Sequence, residues 1–330
     1  MSSPPITNPL LPLPGLKPAG RGLAQQADQG EELHRRRRIH VRALPAASAL
    51  NRCTTPRMPF SLTLNPYRGC EFACVYCYAR YTHSFMGRHD PAAFETEIFA
   101  KTGLPRRLQR ELRRTDLSGE SIAMGTVTDP YQPVERRLGL TRRLLRAFGH
   151  VRGITFSITT KSDLVARDID LLVAMNRHNK VHVNLTVVTM DTELARGLEP
   201  RAPRPDLRLR ALAALGRAGI QAGVFAMPVL PGLTDSRMNL DRVAAATAAA
   251  GGHYLIAQPL FVRDCSRSTL FAYLRRHHPA LVERYARSFG RGGRLEPNYG
   301  HRLAARVAGI RKRHGLASGP ARDGWEDSDP

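Results

Sequence analysis

Residues 65–80 read NPYRGCEFACVYCYAR and place three of the chain's five cysteines within eight residues, at the spacing C-x3-C-x2-C. A closed structural zinc site needs four ligands, usually supplied as well-separated pairs, so three clustered thiols are a poor start for one. A cubane iron–sulfur cluster is different, because one tight loop can bring closely spaced thiolates to three of its corners. The spacing therefore predicts a cluster whose fourth iron has no ligand from this loop and is open to a chelating small molecule.

The two remaining cysteines, Cys53 and Cys265, leave an alternative open. Either could supply a fourth ligand and make a closed structural or electron-transfer cluster, although neither lies in the loop. Five cysteines in 330 residues are too sparse and too odd in number for a secreted disulfide scaffold. Metal or redox chemistry is therefore the expected use of the cysteine loop.

The net charge of +22 is carried almost entirely by residues 51–314 rather than by the two ends of the chain. A basic folded core predicts a surface or cleft for an anionic partner, with nucleic acid first among the candidates. Scattered, solvated arginines are the alternative explanation. No run of about 18 apolar residues occurs, and prolines interrupt the apolar start, so we expect a cytoplasmic protein that does not contact membranes.

Composition divides the chain into four parts. Residues 1–50 are rich in Pro, Gly, Gln and charge, include the block HRRRR at 34–38, and are predicted to be a mostly disordered basic segment. Residues 51–262 form the predicted core, and residues 263–315 a helical C-terminal extension. Residues 316–330 are predicted to be a disordered acidic tail.

Within the core, short β-rich runs alternate with longer amphipathic stretches. The predicted strands are residues 61–64, 121–127, 154–159, 181–186, 221–226 and 253–257. The predicted helices are residues 105–114, 141–148, 163–175, 206–218 and 238–250. Such βα repetition predicts a parallel sheet and is compatible with an open barrel, a closed barrel or a doubly wound sheet. In each case the functional residues are expected just past the carboxyl ends of the strands.

The cysteine loop, with Tyr76 directly before its third cysteine, resembles the signature of the radical S-adenosylmethionine (radical SAM) superfamily. Four further stretches resemble one branch of it, the spore photoproduct lyase-like proteins often labelled DNA repair photolyases. They are GTVTDPYQPVERRLGLTR, ITTKSDLVARD, LEPRAPRPDLRLRALAALGRAGI and MPVLPGLTD. The resemblance covers residues 65 to about 232, continues more weakly to the end, and is strongest to uncharacterised actinobacterial-type members.

The resemblance implies an α/β fold, a partial (β/α)6 TIM-like barrel of the radical SAM type. It also implies a [4Fe–4S] cluster ligated by Cys70, Cys74 and Cys77, with S-adenosyl-L-methionine chelating the open iron. Reductive cleavage of that cofactor would produce a 5′-deoxyadenosyl radical that abstracts hydrogen from a substrate. Tyr76 would contact the adenine through its backbone.

Five more residues match cofactor-binding positions of the branch. Thr128 and Asp129 would accept hydrogen bonds from the methionine amino group, although Asp129 could also simply form an Asx turn before Pro130. Lys161 would pair with the methionine carboxylate as a point charge. Asn184 and Glu199 would contact the ribose or the sulfonium end.

The chain departs from the lyases at Thr126. The aligned residue in spore photoproduct lyases is a cysteine that returns a hydrogen atom to the product radical, and a hydroxyl O–H bond is too strong to replace that thiol. Thymine-dimer reversal by the lyase mechanism is therefore not expected, and Cys265 is a candidate hydrogen donor from another direction. Tyr131, Gln132 and His83 are candidate substrate contacts by position alone.

Three functions stay open at this point. The first is a radical SAM enzyme, lyase or transferase-like, that acts on an anionic substrate such as nucleic acid and receives electrons from a donor such as flavodoxin or ferredoxin. The second is radical SAM modification of a protein or peptide, which the lack of a cysteine-rich C-terminal domain disfavours. The third is a non-catalytic iron–sulfur or zinc nucleic-acid-binding protein, which would have no need of Lys161 or of the Thr128–Asp129 pair.

Overall fold

The computed structural model describes residues 21–55, 58–289 and 293–320, which carry two β-sheets and their surrounding helices. The strands are β1 (Glu32–Arg36), β2 (Ile39–Ala43), β3 (Asn51–Arg52), β4 (Leu62–Leu64), β5 (Tyr67–Arg68), β6 (Glu97–Ala100), β7 (Ser121–Met124), β8 (Thr155–Thr160), β9 (Lys180–Thr186), β10 (Gln221–Val229) and β11 (Leu255–Pro259).

The helices, in chain order, are α1 (Arg21–Gln29), α2 (Tyr81–Ser84), α3 (Ala93–Thr96), α4 (Leu104–Leu112), α5 (Glu135–Leu138), α6 (Leu140–Ala147), α7 (Ile169–Asn176), α8 (Thr192–Leu198), α9 (Pro205–Arg217), α10 (Arg237–Ala249), α11 (Asp264–His277), α12 (Val282–Ser288) and α13 (Pro297–His314). Short 3₁₀ segments span Tyr78–Arg80, Phe148–His150, Asp163–Asp168 and Pro279–Leu281. Within the described ranges, no helix has both the length and the apolar character that a membrane crossing demands.

The larger sheet has seven strands in the order β3-β4-β7-β8-β9-β10-β11. Only β3 runs antiparallel to its neighbour, and every other adjacent pair is parallel. Parallel neighbours require a crossover connection, and helices supply it between successive strands. In the described part of the chain no pairing joins β11 back to β3 or β4. The sheet is therefore open, which confirms the predicted partial (β/α)6 barrel.

The six predicted strands correspond to β4 and β7–β11, with ends displaced by three residues or fewer. Alternate residues of these strands, such as Ile122, Phe156 and Val183, pack against the covering helices in one core. Residues of the other face, such as Ala123, Ser157 and Asn184, face the interior of the open barrel. β9 illustrates this packing, because six of its seven residues are buried. The predicted helix at 163–175 begins instead as a 3₁₀ turn, which Ser162 caps by accepting a hydrogen bond from the Leu164 amide at 3.3 Å.

Residues 21–43 contain a helix and two strands, where the sequence analysis expected a mostly disordered segment. β2 pairs in parallel with β6, and the smaller sheet has the order β1-β2-β6-β5. Val41 and Leu44 are buried against residues of this second sheet, and Leu33 and Ile39 pack beside Val41, so a few apolar side chains anchor a strongly charged segment. Polar composition misled the prediction because the partner strand lies more than 50 residues away in sequence. The predicted disorder of residues 1–20 lies outside the described residues.

The predicted helical extension contains α11, α12 and α13, but α13 is part of the main core. Leu303, Val307 and Ile310 of α13 are buried in the same cluster as the strands of the larger sheet. The chain then continues to Ala317, which forms a parallel bridge with Tyr254, and Leu316 is buried beside it. Disorder from residue 316 onward is thus wrong for the first residues of the tail, while residues 321–330 lie outside the described residues.

The packing of α13 leads to a stability prediction. Ile310→Ala should lower the free energy of unfolding by about 2–4 kcal/mol, because it leaves a cavity in the main core. Urea unfolding followed by circular dichroism measures the change. Lys312→Ala, an exposed position of the same helix, is the control. If the Ile310→Ala protein unfolds with the same midpoint as this control, α13 does not belong to the core.

Candidate cofactor site

A cavity of about 270 Å³ lies at the carboxyl ends of the parallel strands. The cysteine loop forms one wall, and the ends of β7 to β11 with the loops that follow form the others. Of the predicted site residues, the wall includes Cys70, Cys74, Tyr76, Cys77, Thr126, Thr128, Asp129, Lys161 and Asn184. Residues from four separate segments therefore meet in one place, as expected from the geometry of parallel strands.

The cysteine loop begins at a glycine that no other residue could replace without displacement of backbone. Gly69 has φ +81°, and a Cβ atom there would lie 2.8 Å from the Phe94 carbonyl oxygen and 2.9 Å from that of Glu97. Both contacts are with backbone and cannot relax cheaply. Within the loop Ala73 also has a left-handed backbone, with φ +57°, and the Cys77 amide donates to the Cys74 carbonyl at 3.2 Å. The loop is therefore a tight, locally strained turn that carries its thiols on one side.

A buried arginine stabilises this turn from behind. Arg80 is 3% exposed; its Nη2 donates to the Cys74 carbonyl at 3.1 Å and forms an ion pair with Glu95 Oε2 at 2.6 Å. A buried guanidinium needs such partners, since an unpaired charge in the interior is costly. Arg80 thus holds the backbone between two of the three cysteines.

Further hydrogen bonds attach the loop to the body of the protein. The Val75 amide donates to the Leu198 carbonyl at 3.0 Å, and the Thr269 hydroxyl donates to the Val75 carbonyl at 2.8 Å. At the start of the loop, the Gln132 amide accepts from the Glu71 amide at 3.0 Å and donates to the Gly69 carbonyl at 3.2 Å. The structure therefore uses Gln132 to support the loop rather than at the cavity wall.

Burial strongly affects the thiols. It raises the pKa of Cys70 well above the usual value and the pKa of Cys74 to about 12. Such thiols stay protonated unless a nearby cation, such as ligated iron, stabilises the thiolate. No three His, Cys, Asp or Glu side chains of the described ranges converge on a single metal ion. The ligands of a cubane do not converge in this way either, because each thiolate binds a different iron.

The donor set fits a three-cysteine cluster. Cys70, Cys74 and Cys77 share one cavity wall, whereas Cys53 and Cys265 lie outside it. Cys265 lies in the first turn of α11, where its thiol is 3.5 Å from the Tyr78 carbonyl oxygen. The structure thus places Cys265 beside the cysteine loop but outside the cavity wall, and its role as a hydrogen donor stays a prediction.

Asp129 holds together the loops that follow β7 and β8. Its Oδ1 accepts from the Thr160 hydroxyl at 2.6 Å and the Tyr131 amide at 2.9 Å, and its Oδ2 accepts from the Lys161 amide at 2.8 Å. Burial nevertheless raises the pKa of Asp129. A carboxylate has about four acceptor positions, so three protein donors leave room for one more on Oδ2. The Asx turn is present, and it is compatible with a binding role.

The Thr128 hydroxyl already forms two hydrogen bonds within the protein. Its hydroxyl donates to the Gly69 carbonyl at 2.6 Å and accepts from the Gln132 side-chain amide at 3.2 Å. The predicted contact between Thr128 and a cofactor amino group would therefore use the remaining lone pair of an oxygen that already holds the cysteine loop in place.

Lys161 provides the one cationic group of this cavity wall, counted over the residues the structure describes. Its Nζ lies 5.8 Å from the centre of the Tyr76 ring, within the range of a cation–π contact. Burial alone would lower the pKa of Lys161, but the negative charges of an ionised Cys74 and of Glu199 outweigh it and the pKa is raised. The ammonium is therefore held charged in a half-buried position, where it could bind an anionic group of a ligand.

Asn184 reaches the wall from β9 with most of its hydrogen-bonding capacity in use. Its Nδ2 donates to the Ile158 carbonyl and to the Thr159 hydroxyl, both at 3.2 Å, and its Oδ1 accepts from the Tyr254 hydroxyl at 2.7 Å. These contacts fix the amide orientation and leave one acceptor position of Oδ1 for a ligand.

Glu199 lies behind the wall rather than on it. Its Oε1 accepts a short hydrogen bond from the Tyr76 hydroxyl, and its Oε2 lies 2.5 Å from Arg208 Nη2 in a fully buried ion pair. Burial acts to raise the pKa of Glu199, but Arg208 and Lys161 outweigh it and the pKa is lowered. The structure therefore gives Glu199 the role of orienting Tyr76, and does not place it where a ligand in the cavity would touch it.

Arg208 is a site residue that the sequence analysis missed. Besides Glu199 it binds the Thr186 carbonyl at 2.9 Å and the Pro203 carbonyl at 2.8 Å, and it is 1% exposed. A signal was present, because Arg208 falls on the same helix face as the buried Leu212 and Leu215. An arginine on the buried face of an amphipathic helix indicates a buried partner.

Thr126, where the resemblance to the lyases implies a cysteine position, lies on the cavity wall. Its hydroxyl accepts from the Asn65 side-chain amide at 2.9 Å, and its carbonyl accepts a short hydrogen bond from the Tyr78 hydroxyl. His83 and Tyr131 lie outside the wall. His83 is buried between Phe94 and Phe99 and donates to the Glu97 carbonyl at 2.8 Å. Position along the chain was thus a poor guide to substrate contacts.

Residues 64–242, more than half of the chain, match the sequence model of the Radical SAM superfamily. The chain belongs to the radical SAM superfamily. The uncharacterized protein Rv2578c of Mycobacterium tuberculosis is 36% identical over 306 residues, which are 92% of this chain and 88% of that protein. The uncharacterized protein MJ0683 of Methanocaldococcus jannaschii is 30% identical over 198 residues, 60% of this chain and 71% of that protein.

The fold resembles that of spore photoproduct lyase. A mutant of that enzyme with bound AdoMet and dinucleoside spore photoproduct superposes with a TM-score of 0.64 over 88% of this chain and 86% of that chain, at 14% identity. The lyase complexed with dinucleoside spore photoproduct gives a TM-score of 0.61 over 83% of this chain and 79% of that chain, also at 14% identity. At this identity the likeness concerns the fold, and it confirms the predicted architecture.

The burial of His83 leads to a prediction on pH. Burial lowers the pKa of His83 from its usual 6.5 to about 4, so the unfolded chain binds this proton more readily than the folded chain between these values. Stability should therefore be lost as the pH falls from about 6.5 to about 4, by on the order of 3 kcal/mol from this group. In His83→Phe the fall of the unfolding free energy over this window should be shallower.

Chemical denaturation at a series of pH values provides the measurement, with the exposed His277→Phe as the matched control. An unchanged slope in His83→Phe would show that His83 is not buried in its neutral form.

Proposed function

We propose that this chain is an enzyme that binds a [4Fe–4S] cluster through Cys70, Cys74 and Cys77 and cleaves S-adenosylmethionine reductively. A reduced cluster of this kind supplies the electron that converts the cofactor to methionine and a 5′-deoxyadenosyl radical, which takes hydrogen from the substrate. The observation that carries the proposal is the meeting of three thiols, one half-buried ammonium and one buried carboxylate on the wall of a single cavity.

The charged side chains of the wall match the charges of a bound amino acid moiety. The Lys161 ammonium suits a carboxylate, and the free acceptor position of Asp129 Oδ2 suits an ammonium. The Asp129 carboxylate is held by the Tyr131 and Lys161 amides, so it is oriented before a ligand arrives. Such preorganisation reduces the entropic cost of binding.

Tyr76 would form the side of this subsite. Its hydroxyl is held by Glu199, its ring lies below the Lys161 ammonium, and it directly precedes the wall residue Cys77. The Glu199–Arg208 ion pair fixes the ring from behind. The adenine contact proposed for the Tyr76 backbone therefore falls on a rigid segment.

The rest of the cavity favours an uncharged reacting group. Phe60, Phe225, Met227 and Phe261 line this part, and they leave no charged side chain there among the described residues. Gln258 Oε1 is buried at this end without a described hydrogen-bond partner, so it offers one acceptor to a donor group. An apolar wall also excludes water from the reacting atoms.

Nucleic acid stays the first candidate for the substrate, on the strength of the basic core. Because the substrate end of the cavity is uncharged, any phosphates would have to lie outside it while a neutral group enters. A protein side chain could enter in the same way, and the cavity does not favour either polymer. An external electron donor of the flavodoxin or ferredoxin kind completes the proposal.

Return of a hydrogen atom by a wall thiol, as in the lyases, is not part of the proposed reaction. Thr126 holds the aligned position, and its hydroxyl is already bound by Asn65. The proposed enzyme therefore ends its reaction differently from thymine-dimer reversal through a cysteine donor.

The central test compares two cysteine variants after anaerobic iron–sulfur reconstitution. Cys74→Ala should lose most of its bound iron and all formation of 5′-deoxyadenosine upon addition of dithionite and S-adenosylmethionine. Cys53→Ala changes the same residue type outside the cavity and should keep both properties. Iron analysis, absorption spectra and chromatography of 5′-deoxyadenosine provide the readouts.

Two results would contradict the proposal. One is a wild-type protein that loads iron and yet yields no 5′-deoxyadenosine under reducing conditions. The other is a Cys74→Ala protein with the same iron content and cleavage activity as Cys53→Ala.

Lys161→Gln should weaken S-adenosylmethionine binding by roughly 10–100-fold, because a charge-assisted contact to the carboxylate contributes about 1.5–3 kcal/mol. Iron content should stay at the wild-type level, since Lys161 is not a cluster ligand. Equilibrium binding of S-adenosylmethionine to the reconstituted protein measures the effect. Wild-type affinity in Lys161→Gln would remove Lys161 from the cofactor site.

A further inference from the structure

A second, smaller cavity lies where the loop after β10 meets α12 and α13. Its volume is about 190 Å³, and its lining consists of Asp235, Arg284, Tyr299, Arg302, Leu303 and Arg306. The loop belongs to the stretch MPVLPGLTD. The residues of this stretch after Pro228 do not line the cofactor cavity. We refer to this cavity as the arginine pocket.

Three guanidinium groups face one carboxylate in the arginine pocket, and the carboxylate is already engaged. Asp235 Oδ1 accepts from the Gly232 amide at 2.8 Å, and its Oδ2 accepts from the Tyr299 hydroxyl at 3.1 Å. The Arg306 guanidinium donates to the Asp235 carbonyl at 2.5 Å. Asp235 thus shapes the loop, and the pocket retains an excess of positive charge.

Two of the arginines are available to a ligand. Arg284 and Arg302 form no hydrogen bond or ion pair with another described residue, although both line the pocket. They come from different helices, α12 and α13, so the fold brings two free guanidinium forks to one small volume. Exposed arginines on a protein of this charge normally spread apart to reduce repulsion. The convergence of Arg284 and Arg302 in one pocket therefore indicates an anionic ligand.

The helix geometry around the arginine pocket places its side chains next to one another. Tyr299, Arg302 and Arg306 lie at i, i+3 and i+7 on one flank of α13. Gly232, with φ +77°, lets the loop pack closely on α12, since a Cβ atom there would lie 3.1 Å from the Leu281 side chain just before that helix. Planar guanidinium groups bind tetrahedral oxyanions through paired N–H donors.

We propose that the arginine pocket binds one phosphate group. The site lies beyond the carboxyl end of β10, on the side of the sheet where the cofactor cavity opens. A phosphate there could belong to a nucleic-acid strand or to a free phosphate compound. The proposal stands apart from the radical chemistry, since none of the pocket's residues lines the cofactor cavity.

The test uses full-length protein and two probes. Isothermal titration with inorganic phosphate measures the free anion, and fluorescence anisotropy of a labelled ten-nucleotide oligothymidylate at several salt concentrations measures the polymer. The variants are Arg284→Gln, Arg302→Gln and Arg302→Lys. Arg287→Gln is the matched control, because Arg287 is exposed on α12 three residues from Arg284 and outside the pocket.

Arg284→Gln and Arg302→Gln should each weaken phosphate binding by about tenfold or more, whereas the control stays within about twofold of wild type. The phosphate affinity of Arg302→Lys should lie between those of wild type and Arg302→Gln, because lysine keeps the charge and loses the paired donors. If the phosphate belongs to nucleic acid, each Gln variant should also lower the salt slope of oligonucleotide binding by about 0.7. An unchanged slope with weakened phosphate binding identifies a free phosphate compound as the ligand.

Equal phosphate binding, or none, in wild type, control and both Gln variants would overturn the proposal. The 5′-deoxyadenosine assay separates this outcome from the proposed function, because Arg302→Gln leaves the cofactor residues intact. If the protein binds phosphate but does not cleave S-adenosylmethionine, the proposed function is contradicted and the phosphate site in the arginine pocket is supported.

Discussion

The carbonyl oxygen of Gly69 accepts hydrogen bonds from the Thr128 hydroxyl at 2.6 Å and the Gln132 amide at 3.2 Å, and the geometry of the site depends on this junction. It joins the loop that carries the cysteines to the loop that follows β7. Gly69 can occupy the position only because it lacks a Cβ, which would collide with two carbonyl groups. A cluster loop must present three thiols while its backbone polar groups stay satisfied, and this junction meets both needs.

Other polar groups around the cavity likewise form structural hydrogen bonds and keep one acceptor position for a ligand. Asp129 binds three protein donors and retains one acceptor position, and Asn184 does the same with its amide. Such groups are oriented by the scaffold before a ligand arrives, which is how a site keeps its geometry. The polar end of the cavity is consequently rigid and charged, whereas the far end is apolar apart from Gln258.

Sequence reasoning succeeded where a property is local. Alternating and amphipathic patterns identified β4, β7–β11 and the main helices, because burial of one face imposes its period on neighbouring residues. It failed where packing joins distant segments, as in β2, whose Val41 pairs with Ile98 on β6. Glu199 shows the same limit within the site, since its distance from the cavity depends on Tyr76 and Arg208, which lie elsewhere in the chain.

The spacing of Cys70, Cys74 and Cys77 was sufficient to predict an iron–sulfur loop with an open corner, because three thiols within one turn can reach only a compact cage. The alternation of strand and helix patterns was likewise sufficient to predict a parallel sheet with its site at the carboxyl ends of the strands. Which side chains face the cavity, and which lie behind it, depended on helices and loops that meet only after folding. The sequence therefore could not show that Cys265, His83 and Gln132 lie outside the cavity wall. It also could not show that Arg284 and Arg302 converge, because they lie on different helices.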